Sequence, residues 1–220
     1  MNSKGATMRV SITQKAFDAS YYDLTERSRI DLDFMLLTIA AAAICALGFK
    51  MNSSPVIVGA MVISPLLYPV ICAGAATYQA DWGTLIKAAR TFAVGFVAAV
   101  AAAVAVGLLS ATTFRSEIVD RLSASGMDYV LVALFSGLAG TYAFFSPKIH
   151  EAVAGIAISV AVIPPIVMLG IGLGIGIAEQ NTNLVLVSGA IVLSNVIGIY
   201  LGSIVMVSVL HRISRDRVAR

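Results

Sequence analysis

Apolar residues fall along this chain in long blocks, not in the alternation of a half-buried strand. The first block runs from Leu32 to Phe49 and closes on Lys50. The second runs from Pro55 to about Thr77 and is followed by the polar turn "YQADWGT". The third, Phe92 to Ala111, is rich in Ala and Val. A longer connector, "TTFRSEIVDRLSASGMD", leads to the fourth block, Tyr129 to Phe145. "SPKIHE" precedes the fifth, Ala152 to about Ala178, and "EQNTN" separates it from the sixth, Leu184 to about Leu210. A helix needs about 20 apolar residues to cross a bilayer core. The pattern therefore predicts an all-α polytopic membrane bundle of six spans.

Two polar stretches flank it. Residues 1–30 form an N-terminal arm in which "DASYYDLTERSRIDLDF" predicts a short amphipathic helix. Asp18 or Ser20 is its expected cap. Asp23 and Arg27 are spaced i,i+4 and Glu26 and Arg29 i,i+3, which lets each pair meet on a helix. Tyr21, Tyr22 and Phe34 suit the headgroup zone. Residues 211–220 form a basic tail, and the six-span region between them is 31–210.

Charge gives the spans a direction. With six spans, both termini share a side with Lys4, Arg9, Lys15, Arg27, Arg29, Lys87, Arg90, Lys148, Arg212, Arg215, Arg217 and Arg220. The opposite side carries Lys50, Arg115 and Arg121. Cytoplasmic loops hold the excess of Lys and Arg, so both termini are expected on the cytoplasmic side of the inner membrane. No stretch reads as a cleaved signal peptide, and the first block is expected to act as a signal-anchor. The net charge of +3 lies mostly at the ends. Without a basic stripe interleaved with aromatics, nucleic acid is not an expected partner.

Composition agrees with the blocks: 59% of residues are hydrophobic and 12% charged, against about 25% charged in a soluble domain. None of the twelve acidic residues lies mid-span. Neither does a His, Lys or Arg. An intramembrane enzyme needs a nucleophile, base or metal at depth, so no enzymatic activity, metal or cofactor is expected. Cys45 and Cys72 lie near opposite ends of adjacent spans and read as small buried hydrophobes, not a disulfide.

Proline organises the membrane region into two halves, 31–111 and 128–210. The middle block of each is interrupted by prolines, "ISPLLYPV" in the first and "AVIPPIVML" in the second. Pro55 reads as a first-turn proline, whereas Pro65 and Pro69 read as interior breaks with Pro164 and Pro165 as counterparts. Three spans per half make any such repeat inverted. Inverted repeats with interrupted helices in matching positions point to a transporter site at the midplane, because lipid cannot satisfy the freed backbone groups. Kinks whose freed groups are met by neighbouring helices remain an open reading. Nearby polar groups extend the candidate pathway: Ser64, Tyr68, Ser159, Ser194 and Asn195 join Pro65, Pro69, Pro164 and Pro165. Asn195 could equally be glue between helices. Small-xxx-small pairs at Gly170/Gly174, Gly172/Gly176 and Gly198/Gly202 predict close helix packing, within one chain or in a homo-oligomer.

These residues also carry a family resemblance. "NSSPVIVGAMVISPLLYPV", "DW", "GIAISVAVIPPIVMLGIGLGIG" and "LSNVIGI" resemble the uncharacterised hydrophobic-domain family of bacteria and archaea, domain of unknown function 389. The resemblance covers about Asp31 to Leu210. Pro55, Gly59, Met61, Pro65, Pro69, Pro164, Pro165 and Asn195 match its pattern; Ser64 and Tyr68 stand where it often has Ala and Gly. It implies a polytopic fold and supplies no biochemical activity. Many relatives carry a soluble domain before the first span, where this chain has about thirty residues. Taken together, the residues predict a small-solute or ion transporter or channel, with a membrane scaffold or regulatory subunit as the alternative.

Overall fold

The computed structural model describes residues 14–109, 127–146, 162–179 and 182–215. These contain eight helices and no strand: α1 (Gln14–Arg27), α2 (Leu32–Lys50), α3 (Ser54–Ile63), α4 (Leu67–Tyr78), α5 (Trp82–Leu109), α6 (Met127–Phe145), α7 (Ile163–Glu179) and α8 (Thr182–Arg215). The 110–126 connector, "PKIHE" and the first part of the fifth block lie outside the described residues.

Among the described residues, three helices are long and apolar enough to cross a membrane: α2, α5 and residues Val185–Ser214 of α8. The bent pair α3 and α4 makes a fourth if counted as one span. Outward faces are apolar as well, with Leu36 of α2, Val97 of α5, Phe135 of α6 and Leu193 of α8 exposed. A chain that buries small residues and turns large aliphatic ones outward is built for lipid contact.

Helix ends follow local chemistry. Asp31 starts α2, its carboxylate accepting the Phe34 N–H at 2.7 Å. Pro55 lies in the first turn of α3, where its missing N–H is harmless. α2 and α4 both stop on a left-handed residue, Asn52 at φ 52° and Ala80 at φ 56°. In each case the next N–H reaches back five residues, Ser53 to the Gly48 carbonyl and Asp81 to the Ala76 carbonyl, both at 2.9 Å. This is the Schellman ending, for which glycine is the usual residue. Asn tolerates the conformation, but Ala80 pays for its Cβ there. Ala80→Gly is expected to stabilise the protein by about 1 kcal/mol, read as a higher melting temperature in detergent.

Some helix boundaries differ from the pattern. α1 begins at Gln14, so Asp18 and Ser20 lie within it and cap nothing. α5 begins at Trp82, ten residues before its apolar block, because Asp81 caps it by accepting the Thr84 N–H at 3.0 Å. Phe34 is buried against α5, where Gly95 leaves room for its ring.

Four helices close a ring. α4 packs on α5 and α8, and α7 also packs on α5 and α8, while α4 and α7 have at most marginal contact with one another. α2 lies outside the ring against α5, α3 and α7, and α6 lies against α8. A stripe of Ala88, Thr91, Gly95, Ala99, Ala103 and Gly107 gives α5 a narrow inner face.

Candidate functional site

The break in the second block is local and has a clear cause. A residue before proline is pushed out of the helical region, and Ser64 accordingly adopts φ −72°, ψ 126°. Pro65 cannot donate a backbone hydrogen bond. α3 therefore ends at Ile63, and α4 restarts at Leu67 after a bend of 52°. Ser64 Oγ accepts the Leu66 N–H at 3.3 Å, and the Pro65 carbonyl accepts the Tyr68 N–H at 3.1 Å. Leu66 is fully buried beside Gly95, where a Cβ would come within 2.6 Å of its methyl group.

Pro65 is thus the residue that breaks the helix. Pro69 occupies the third position of α4, in the first turn, where N–H groups have no intrahelical partner in any case. Pro164 and Pro165 hold the second and third positions of α7. Pro69 and Pro165 are therefore equivalent within their helices. From each the sequence runs apolar to a glycine five residues on: "PVICAG" to Gly74 and "PIVMLG" to Gly170. In both, the three residues after the proline are buried.

The structure separates the remaining candidates. Tyr68 faces the arm: the Arg27 guanidinium lies 5.7 Å from its ring centroid, and Phe144 of α6 packs edge-on at 6.0 Å. Pro69 borders an apolar groove of about 290 Å³ with Val70, Phe92, Val196 and Tyr200. Asn195 is buried on α8 next to Val196 of that groove, and Ser194 is half-buried. Ser159 lies outside the described residues. Sequence reasoning missed three hydroxyls, those of Thr38, Thr141 and Ser188, which are fully buried without a hydrogen-bond partner among the described residues. Each lies in an apolar block, and nothing in its spacing sets it apart. Buried polar groups in native proteins are normally paired.

The arm is built into the bundle. Phe17 stacks on Phe145 at 4.9 Å and lies 5.3 Å from the His211 ring. Tyr78 Oη lies 3.1 Å from His211 Nδ1. Tyr21 donates to Asp81 at 3.1 Å, and Ser214 donates to Gln14 at 3.0 Å. The Arg27–Asp23 and Arg29–Glu26 pairs form as the spacing predicts, at 2.9 and 2.7 Å. Hydrogen bonds from Thr84 hold the Asp81 carboxyl below its ordinary range. Burial pushes the Tyr21 phenol upward. Cys45 and Cys72 are buried free thiols. Among the described residues, no three His, Cys, Asp or Glu side chains gather to hold a metal ion.

The family described as "Domain of unknown function (DUF389)" matches residues 61–201, from the end of α3 into α8. The chain belongs to the DUF389 family. The match takes in both proline-led helices and Asn195. This DUF389 chain is also similar to an uncharacterized protein of Methanocaldococcus jannaschii, 24% identical over 191 residues. The similarity covers 86% of this chain and 57% of that relative, so the chain spans little more than half of its length. No solved structure matches.

Proposed function

We propose that this DUF389 protein passes a small solute or ion across the inner membrane. Its six spans form two inverted three-helix units, with both termini in the cytoplasm. One observation carries the reading: the two proline-led helices hold interchangeable places. α4 rests on α8 through Gly74, and α7 rests on α5 through Gly170. Exchanging the units also pairs α2 on α5 with α6 on α8, and α4 on α5 with α7 on α8. An inverted pair of broken helices is the arrangement by which transporters hold solutes at the midplane. The N-terminal N–H groups of α4 and α7 would face a solute oxygen or anion there. Ser64, Ser194 and Asn195 supply the polar lining.

The reading is tested by flux into liposomes containing the purified protein. Wild type is expected to move a small ion or metabolite, and Pro65→Ala and Pro164→Ala each to slow it at least about tenfold, a barrier change near 1.4 kcal/mol. A wild type that moves nothing, or variants that change melting but not flux, would defeat the proposal.

A further inference from the structure

A second cavity, of about 270 Å³, opens where the arm meets α5 and is separate from the proline breaks. Its wall includes Arg29 from the turn after α1 and Lys87 and Arg90 from α5. Thr25, Ser28, Thr84 and Thr91 contribute hydroxyls, and Cys72 of α4 lies at its inner side. Three cations line one small cavity. Arg29 is paired with Glu26, but the like charges of Lys87 and Arg90 repel unless an anion sits between them.

The neighbouring acids are already engaged. Glu26 pairs with Arg29 at 2.7 Å. Asp31 accepts the Phe34 N–H, and Asp81 accepts from the Thr84 N–H and the Tyr21 hydroxyl. Neither Lys87 nor Arg90 has an ion pair among the described residues. The hydroxyls sharpen the chemistry. Thr25, Ser28 and Thr91 donate their protons to the carbonyls of Tyr21, Leu24 and Lys87 at 3.0, 2.7 and 3.1 Å. Their oxygens can still accept a hydrogen bond. A ligand with both an anionic phosphate and a free hydroxyl matches this lining better than a bare anion.

The surroundings are those of a membrane surface. Trp82 and Ile86, on the same helix as Lys87, are 66% and 68% exposed, as are Tyr22 and Leu32 at 69% and 73%. Trp and Tyr favour the headgroup level, where lipid phosphates lie. We propose that this cavity binds the phosphate of a hydroxyl-bearing phosphoester, either a glycerol-type lipid headgroup or its water-soluble counterpart. It would hold the arm against α5 by bridging Arg29 to Lys87 and Arg90. The proposal does not depend on solute passage.

Trp82 is the chain's one tryptophan, and it lies about 7.5 Å along the helix from Lys87. The full-length protein is reconstituted in phosphatidylcholine bilayers, with either phosphatidylglycerol or phosphatidylcholine brominated at equal mole fraction. Trp82 fluorescence is expected to be quenched at least threefold more per brominated lipid by phosphatidylglycerol. Lys87→Gln with Arg90→Gln, both at exposed positions, should remove that excess, and Lys87→Arg should keep it. Glycerol 3-phosphate at millimolar concentration distinguishes the sources. If it abolishes the excess, the phosphoester alone is recognised and a soluble occupant suffices. If the excess persists, the headgroup is held through its lipid. Equal quenching by both lipids in wild type, with no effect of glycerol 3-phosphate on Trp82 fluorescence, overturns the proposal. So does an excess that survives the double substitution.

Discussion

Gly137→Leu is expected to abolish the folded protein, seen as aggregation in place of a monodisperse peak on detergent size exclusion. α6 and α8 approach each other backbone to backbone. A Cβ on Gly137 would overlap the Ile199 carbonyl oxygen and sit 2.8 Å from the Ile199 Cα. From the other side, a Cβ on Gly202 would lie 2.5 Å from the Leu134 carbonyl oxygen, and one on Gly198 would lie 2.7 Å from the Ala133 methyl. Backbone atoms have no rotamer to escape into, so the whole helix must move. Overpacking of this kind costs about 1–3 kcal/mol for a small addition, which is the expected loss for Gly137→Ala. Gly59 and Gly189 serve as controls, because nothing lies within 4 Å of a Cβ built on either. Gly59→Leu should leave melting unchanged or raise it slightly, since an exposed helical glycine is unfavourable by about 1 kcal/mol. If Gly137→Leu melts like wild type, the close crossing of α6 and α8 does not exist.

That contrast marks what the residues disclosed. The small-xxx-small spacing of Gly198 and Gly202 announced a close approach but not its partner. Gly137 lies in a block whose pattern singles out no glycine, and only the crossing of α6 with α8 gives it a role. Hydrophobic blocks fixed the cores of α2, α5, α6 and α8 because burial in lipid depends on length and polarity alone. Ends were less legible. The apolar block begins at Phe92, yet Asp81 and the helix-compatible residues after it extend α5 by nearly three turns. Ala80 gave no turn signal, because its left-handed conformation is imposed by the Schellman bonds around it and not by its own preference.

The proline site was legible in part. Pro65 acts as its chemistry dictates, through its missing N–H and its effect on Ser64. Pro69, Pro164 and Pro165 were harder to read, because a proline in a first turn and one in a helix interior look alike until the helix start is known. Tyr68 illustrates a second limit. Its neighbours in sequence placed it beside the break, but its ring meets Arg27 and Phe144 from elements far away in the chain.

Gly74→Ala and Gly170→Ala are expected to destabilise the protein by similar amounts, about 1–3 kcal/mol each, and independently of one another. A Cβ on Gly74 would meet the Ser203 Cβ at 2.6 Å and the Tyr200 carbonyl oxygen at 3.0 Å. A Cβ on Gly170 would meet the Ala103 methyl at 2.5 Å and the Val100 carbonyl oxygen at 2.8 Å. Each clash pairs one side-chain carbon with one carbonyl on the long helix opposite, so the penalties should match. Additivity follows from the contacts: Gly74 meets Tyr200, Ser203 and Ile204 of α8, whereas Gly170 meets Val100 and Ala103 of α5. Distant sites without shared partners add to within about 0.5 kcal/mol. Melting or denaturant midpoints of the two single variants and the double variant test both statements. A large effect at one glycine and none at the other would dissolve the correspondence between "PVICAG" and "PIVMLG" on which the inverted repeat rests. Strong coupling in the double variant would instead mean that α4 and α7 respond to each other through α5 and α8.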